Sequence, residues 1–195
     1  MGSDVIDIRS GTRSQFTSGV GLIVFLFAWG VTFASLFIAY GFVRVRAPQW
    51  PPPGSPEFPI ALPIGCTVAA FASSFAYHRG LVAMRKNALP AVKAWLVAAC
   101  ALGFVFLGLQ AVTWSDLWTK GLQVGQNAYA GTFYMLTMFH ASHVLFAIVA
   151  VVVLFPKLWR GGYTVRDHLP IKLTGWFWHF VTGAWVGTFL ALYAF

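Results

Sequence analysis

The sequence predicts an all-α fold, an integral membrane bundle of five transmembrane helices forming a single domain over residues 1–195. Three observations carry that reading. The chain holds 13 Lys/Arg and five Asp/Glu, so 9% of its residues are charged and 58% are hydrophobic. A soluble domain has about a quarter of its residues charged, and this chain has too few charges to coat a globular surface. Its charges are separated by five long apolar runs, and proline- or glycine-marked segments lie between several of these runs. No run alternates polar and apolar residues with a period of two, which excludes membrane strands. A soluble enzyme is excluded with them.

The elements follow from the runs. Residues 14–43, 58–78, 94–115, 121–156 and 173–195 contain no Asp, Glu, Lys or Arg, over 30, 21, 22, 36 and 23 residues. A spanning helix needs about 20 apolar residues. The 36-residue run is too short for two spans and a turn, so each run crosses once. The spans are read as 17–43, 60–83, 92–114, 127–155 and 173–194. The first run is too long for the apolar core of a signal peptide and is expected to stay in the membrane. Residues 44–59 form a stiff extramembrane loop around Pro48, Pro51, Pro52, Pro53, Pro56 and Pro59, with Gly54. Asn87 to Pro90 separates spans two and three, and Gly161, Gly162 and Pro170 separate spans four and five.

Charge sets the orientation. With the N-terminus inside, the cytoplasmic side carries Arg9, Arg13, Arg79, Arg85, Lys86, Lys93, Lys157, Arg160, Arg166 and Lys172. The outer side carries Arg44, Arg46 and Lys120. Cations concentrate on the cytoplasmic side, so the N-terminus is expected inside. The net charge of +8 is scattered singly, not gathered on one face, and does not point to nucleic acid. Cys66 and Cys100 are isolated in apolar runs and read as buried core residues.

The titratable candidates within the spans are histidines. His140 and His143 are three residues apart and share a helix face; His179 lies in span five. Two readings stand. Such residues hydrogen-bond between packed helices or to lipid headgroups. Alternatively, His140 or His143 joins His179 as a metal or haem ligand or in a proton relay. Gln110 and Thr113 read as interhelical polar contacts, and Gly183 with Gly187 as a Gly-x-x-x-Gly helix contact. Trp50, Trp114, Trp118 and Trp159 are placed at membrane interfaces. No Ser/His/Asp set, phosphate loop or carboxylate pair appears, so no catalytic residue is assigned.

Two segments point to a family. Span four contains Thr132-Phe133-Tyr134-Met135-Leu136-Thr137-Met138-Phe139-His140-Ala141-Ser142-His143-Val144, and span five contains Trp176-Phe177-Trp178-His179-Phe180-Val181. Together they resemble subunit III of the haem–copper oxidases (cytochrome c or quinol oxidases), in its five-helix bacterial form. Phe106-Leu107-Gly108-Leu109-Gln110-Ala111, Phe33 to Tyr40, the Trp50-Pro51-Pro52-Pro53-Gly54 loop, and Leu62-Pro63 with Thr67, Ser73 and Ser74 resemble the family in the same order.

The resemblance implies a non-catalytic accessory subunit of an oxidoreductase complex in the bacterial inner membrane. It would pack on catalytic subunit I beside other oxidase subunits and serve aerobic electron transport coupled to proton translocation. It implies no haem or copper in this chain, those belonging to partner subunits, and structural phospholipid in a V-shaped cleft. The cleft is expected between spans one and two on one side and spans three to five on the other. His140, His143, His179, Trp178, Gln110, Thr113 and Trp29 would line it or pack helices beside it. The sequence departs from the family where a Glu is usual at Trp29 and at Thr113, an Asp at Thr182, and a Gly at Met138. A carboxylate route for protons is therefore not available at those positions. Two alternatives remain at this point: the related accessory subunit of a nitric oxide reductase, and a small membrane haem protein ligated by these histidines.

Overall fold

The structure, a computed structural model, describes the backbone of residues 3–56 and 60–194 and the side chains of 17–56 and 60–193. Pro59, placed in the proline loop above, lies outside the described residues. Five long helices are present: α1 Ser3–Arg46, α2 Ala61–Arg85, α3 Leu89–Thr119, α4 Ala128–Trp159 and α5 Leu169–Phe189. A π-helical segment, Leu190–Ala194, continues α5. No strand occurs among the described residues.

The boundaries have local causes. Asn127 caps α4, its side chain accepting from the Ala130 amide at 2.8 Å, which satisfies one orphan donor of the first turn. Pro90 and Pro170 open α3 and α5, where the missing N–H costs nothing. Gly161, at φ 73°, ends α4 in the left-handed conformation that glycine tolerates. α4 runs past its expected end at 155 because Pro156 lies in its last turn, where the lost hydrogen bond disturbs only the terminus. α1 is longer than the span expected at 17–43. Its 44 residues reach about 66 Å at 1.5 Å per residue.

Three helices are long and apolar enough to cross a membrane by length and composition: α1 over Thr17–Arg46, α3 and α4. α2 and α5 have 25 and 21 residues, again enough for a crossing by length. Their apolar runs are diluted by Ser, Thr, His, Tyr and Trp, and many of these polar groups face neighbouring helices, as the hydrogen bonds below show.

α2 to α5 pack together. α2 lies against α3 and α5, α4 against α3 and α5, and α1 touches α4 and α5. The expected grouping of α2 with α1 is therefore corrected: α2 belongs with α3 and α5, and α1 stands apart. Small residues allow the closeness. A Cβ on Gly175 would sit 2.7 Å from Tyr77 of α2, and one on Gly103 would sit 3.1 Å from Ile148 of α4 and 3.3 Å from Trp178 of α5. Cys66 and Cys100 are buried, unbridged core residues. At the opposite face, only Phe33 and Tyr40 are buried among the described side chains of α1.

Candidate functional site: the aromatic and histidine seam between α1 and α4–α5

The bundle is tied by a repeated polar unit. Trp178 Nε1–H donates to Ser73 Oγ at 3.2 Å, and Ser73 donates to the Ala70 carbonyl of its own helix. Trp185 Nε1–H donates to Thr67 Oγ1 at 3.0 Å, and Thr67 donates to the Pro63 carbonyl. Trp114 Nε1–H donates to Thr137 Oγ1 at 3.0 Å, and Thr137 donates to the Phe133 carbonyl. Each hydroxyl spends its hydrogen on its own helix and offers a lone pair to an indole of the next. A buried indole N–H needs an acceptor, and a back-bonded Ser or Thr supplies one without freeing a donor into hydrocarbon. Tyr77 Oη–H adds a bond to the Ile171 carbonyl at 2.9 Å.

The three histidines separate. His179 meets Ser74 of α2, Nδ1 to Oγ at 2.6 Å, with the His78 ring 6.3 Å away. His143 faces α1: its ring centroid is 4.1 Å from Trp29 and 5.2 Å from Phe33, both edge-on. His143 Nδ1 lies 2.6 Å from the Phe139 carbonyl. A carbonyl only accepts, so Nδ1 carries the hydrogen and Nε2 is left as an acceptor. That Nε2 is buried without a partner. His140 is buried among Phe106, Trp185 and Phe33, with ring centroids at 5.5, 5.2 and 6.2 Å, and its Nδ1 has no partner. The joining of His179 with His140 or His143 is thus corrected, because His179 turns to α2 while His143 turns to α1. Among the described residues no group of three or more His, Cys, Asp or Glu is placed to hold a metal ion.

The other named residues fall as follows. Thr113, buried in α3, donates its hydroxyl hydrogen to the Leu109 carbonyl of its own helix at 2.9 Å. Threonine reaches back one turn more easily than it reaches across. Gln110 is buried in α3, and its Nε2 has no partner. Thr182 bonds the Trp178 carbonyl at 3.1 Å. A Cβ on Gly187 would meet the Phe37 ring of α1 at 3.1 Å, whereas one on Gly183 would meet nothing within 4 Å. Gly183 is therefore removed from the expected helix contact, since its side of α5 faces open space. Trp118 and Trp159 are half exposed. Trp50 and Trp114 turn inward instead, Trp50 lying between Tyr40 and Tyr129 at 5.6 and 4.8 Å.

Between α1 and α4–α5 a groove of about 490 Å³ opens, walled by Phe25, Trp29, His143, Phe146 and Phe177. Phe25 meets Phe177 at 5.8 Å. A second hollow, about 620 Å³, lies at the proline-loop end between Phe42, Arg46, Trp50 and Tyr129. The Arg46 guanidinium sits over the Phe42 ring at 4.1 Å.

A family model for cytochrome c oxidase subunit III matches residues 9–195. The chain belongs to the cytochrome c oxidase subunit III family. Among its relatives, cytochrome c oxidase subunit 3 of Synechocystis sp. is 34% identical over 177 residues, covering 89% of this chain and 73% of the relative. That of Thermostichus vulcanus is 34% identical over 178 residues, covering 89% and 85%. A probable cytochrome c oxidase subunit 3 of Mycobacterium tuberculosis is 29% identical over 187 residues, covering 95% and 91%. Membership of the subunit III family makes the five helices a multi-pass membrane bundle. The histidine-bearing segments of α4 and α5, which carried the resemblance, lie inside the matched span.

The reading of single residues missed the hydroxyls. Thr67, Ser73, Ser74 and Thr137 entered it only as parts of family motifs, although they tie the helices together. A signal was present. Trp114, Trp178 and Trp185 each bring an N–H into an apolar run, and each requires an acceptor on a neighbouring helix.

Proposed function

We propose that this chain is the non-catalytic accessory subunit III of a respiratory haem–copper oxidase in a bacterial inner membrane, with its N-terminus cytoplasmic. It packs on the catalytic subunit I, which holds the haem and copper, and supports aerobic electron transport coupled to proton translocation. The observation that carries the reading is the match to subunit III over residues 9–195, at 34% identity to two relatives. The cytoplasmic excess of Lys and Arg supports the orientation.

In this reading the groove between α1 and α4–α5 holds acyl chains of structural phospholipid. Apart from His143 and Thr174 its walls are aromatic and aliphatic, and apolar faces left to water would be costly. Trp29 stands where the family usually has a Glu, so the groove is lined by an indole instead of a carboxyl at that point. The chain then acts through packing and lipid retention, not through carboxylate proton transfer at Trp29, Thr113 or Thr182.

The test is isolation of the tagged chain from its native membranes in mild detergent, with a visible spectrum and mass spectrometry of what accompanies it. Co-isolation of a haem-bearing oxygen-reducing subunit I supports the proposal. Co-isolation of a nitric oxide reductase subunit instead overturns the oxidase assignment. A chain that arrives alone and carries haem overturns the accessory role. For the groove, Trp29→Ala is expected to lower the phospholipid retained per complex after detergent washing, read by lipid mass spectrometry; unchanged retention would remove Trp29 from the lipid wall.

A further inference from the structure

A small cavity lies where α2, α3, α4 and α5 converge. It measures about 20 Å³ and is bordered by Ser73, Gly103, Phe106, His140, Trp178 and Thr182 among others. All of its lining residues are buried. A cavity of about 10–15 Å³ on the same measure holds one water, provided that two to four polar groups receive it.

Those polar groups are present, and their unused capacity fits one molecule. His140 is 1% exposed and its Nδ1 has no hydrogen-bond partner. A neutral imidazole has one N–H to donate and one lone pair to offer. Ser73 is 4% exposed; its hydroxyl already donates to the Ala70 carbonyl and accepts from Trp178. One lone pair remains. Thr182 is 9% exposed; its hydroxyl donates to the Trp178 carbonyl, which leaves its lone pairs. The two hydroxyls can therefore only accept further, and a group with two O–H donors and one acceptor is what the site lacks.

We infer that this cavity binds a single water molecule, which accepts from the imidazole of His140 and donates to the hydroxyls of Ser73 and Thr182. The water links α4 to α2 and α5 at the point where Trp178 already joins α2 and α5. It also accounts for a histidine buried among aromatic rings: the ring serves as a donor to a fixed solvent molecule, not as a ligand to a metal. Thr182, where the family usually carries an Asp, supplies a neutral acceptor suited to such a water.

The test is a high-resolution cryo-EM map of the purified full-length chain in the complex from which it is isolated. A single isolated peak about 2.7–3.2 Å from a ring nitrogen of His140 and from the Ser73 and Thr182 hydroxyls supports the inference. An empty cavity in a map that shows other buried waters overturns it. Thr182→Val keeps the volume and removes one acceptor. It is expected to abolish or displace the peak and to lower the midpoint of thermal unfolding. An unchanged peak would remove Thr182 from the water's partners, and a lost peak with a raised midpoint would show that the cavity prefers to be dry; either would overturn the inference.

Discussion

α5 presents two different faces to its neighbours. Toward α2 it is locked: Gly175 admits Tyr77, Trp178 and Trp185 reach Ser73 and Thr67, and His179 meets Ser74. Toward α1 it offers ring edges and one close glycine: Phe25 against Phe177, Phe33 against Phe180 at 6.2 Å, and Phe37 against Gly187. The first interface combines steric fit with directional bonds. The second is dispersion and ring quadrupoles, with a groove beside it. In hydrocarbon there is no hydrophobic drive between helices, so close packing and hydrogen bonds hold them. The difference explains why α2 to α5 form one body while α1 remains a separate wall.

Substitutions can break this comparison, and their effects should fall in a set order. Gly175→Leu should be the most damaging, because even its Cβ has no room beside Tyr77. Overpacking costs about 1–3 kcal/mol and occasionally more, so chain abundance and complex assembly on native gels are expected to collapse. Near-normal assembly would show that the α2–α5 contact is not tight. Trp178→Phe removes the bond to Ser73 and some volume beside Tyr77, which stacks on it at 5.6 Å. A loss of about 1–2 kcal/mol is expected, combining a polar bond of about 0.6 kcal/mol in a membrane with the lost contacts. It would be read as a lowered unfolding midpoint of the purified complex.

Gly187→Leu probes the looser side. Its new side chain pushes on the Phe37 ring, a terminal group that can move. Assembly is expected to persist, with α1 shifted enough to reduce crosslinking between cysteines placed at Phe37 and Val186. If Gly187→Leu instead destroyed the complex as thoroughly as Gly175→Leu, the two faces of α5 would be equivalent and the comparison would fail. Gly183→Ala is the mildest change. It meets open space, gains helix propensity of about 0.8–1.0 kcal/mol on peptide scales, and should leave assembly unchanged or slightly improved. A clear loss of assembly would reveal a partner covering that side of α5.

The histidines show where sequence reasoning stops. Spacing correctly places His140 and His143 near one another on α4, because 3.6 residues per turn is a local property. It says nothing of whether His179 comes within reach of them. That depends on the rotation of α5 about its own axis, which Gly175 and the tryptophans fix by packing on α2. Similarly, Gly183 and Gly187 make an equally good motif in one dimension, yet only Gly187 has a neighbour close to where its Cβ would be. Where the Thr113 hydroxyl sends its hydrogen, to its own helix, is likewise visible only in the structure.

Sequence by itself determined the class of solvent, the number of helices and the approximate place of each. It did so because charge, proline and run length act locally and the bilayer tolerates few alternatives. The ordered motifs also determined the family. Tertiary structure decided which helices form the tight body, which hydroxyl answers which indole, and where the groove and the small cavity open. Those outcomes depend on helix rotation and on the fit of glycine against aromatic rings. Both are set by contacts between residues as far apart as Thr67 and Trp185, and no local pattern encodes them.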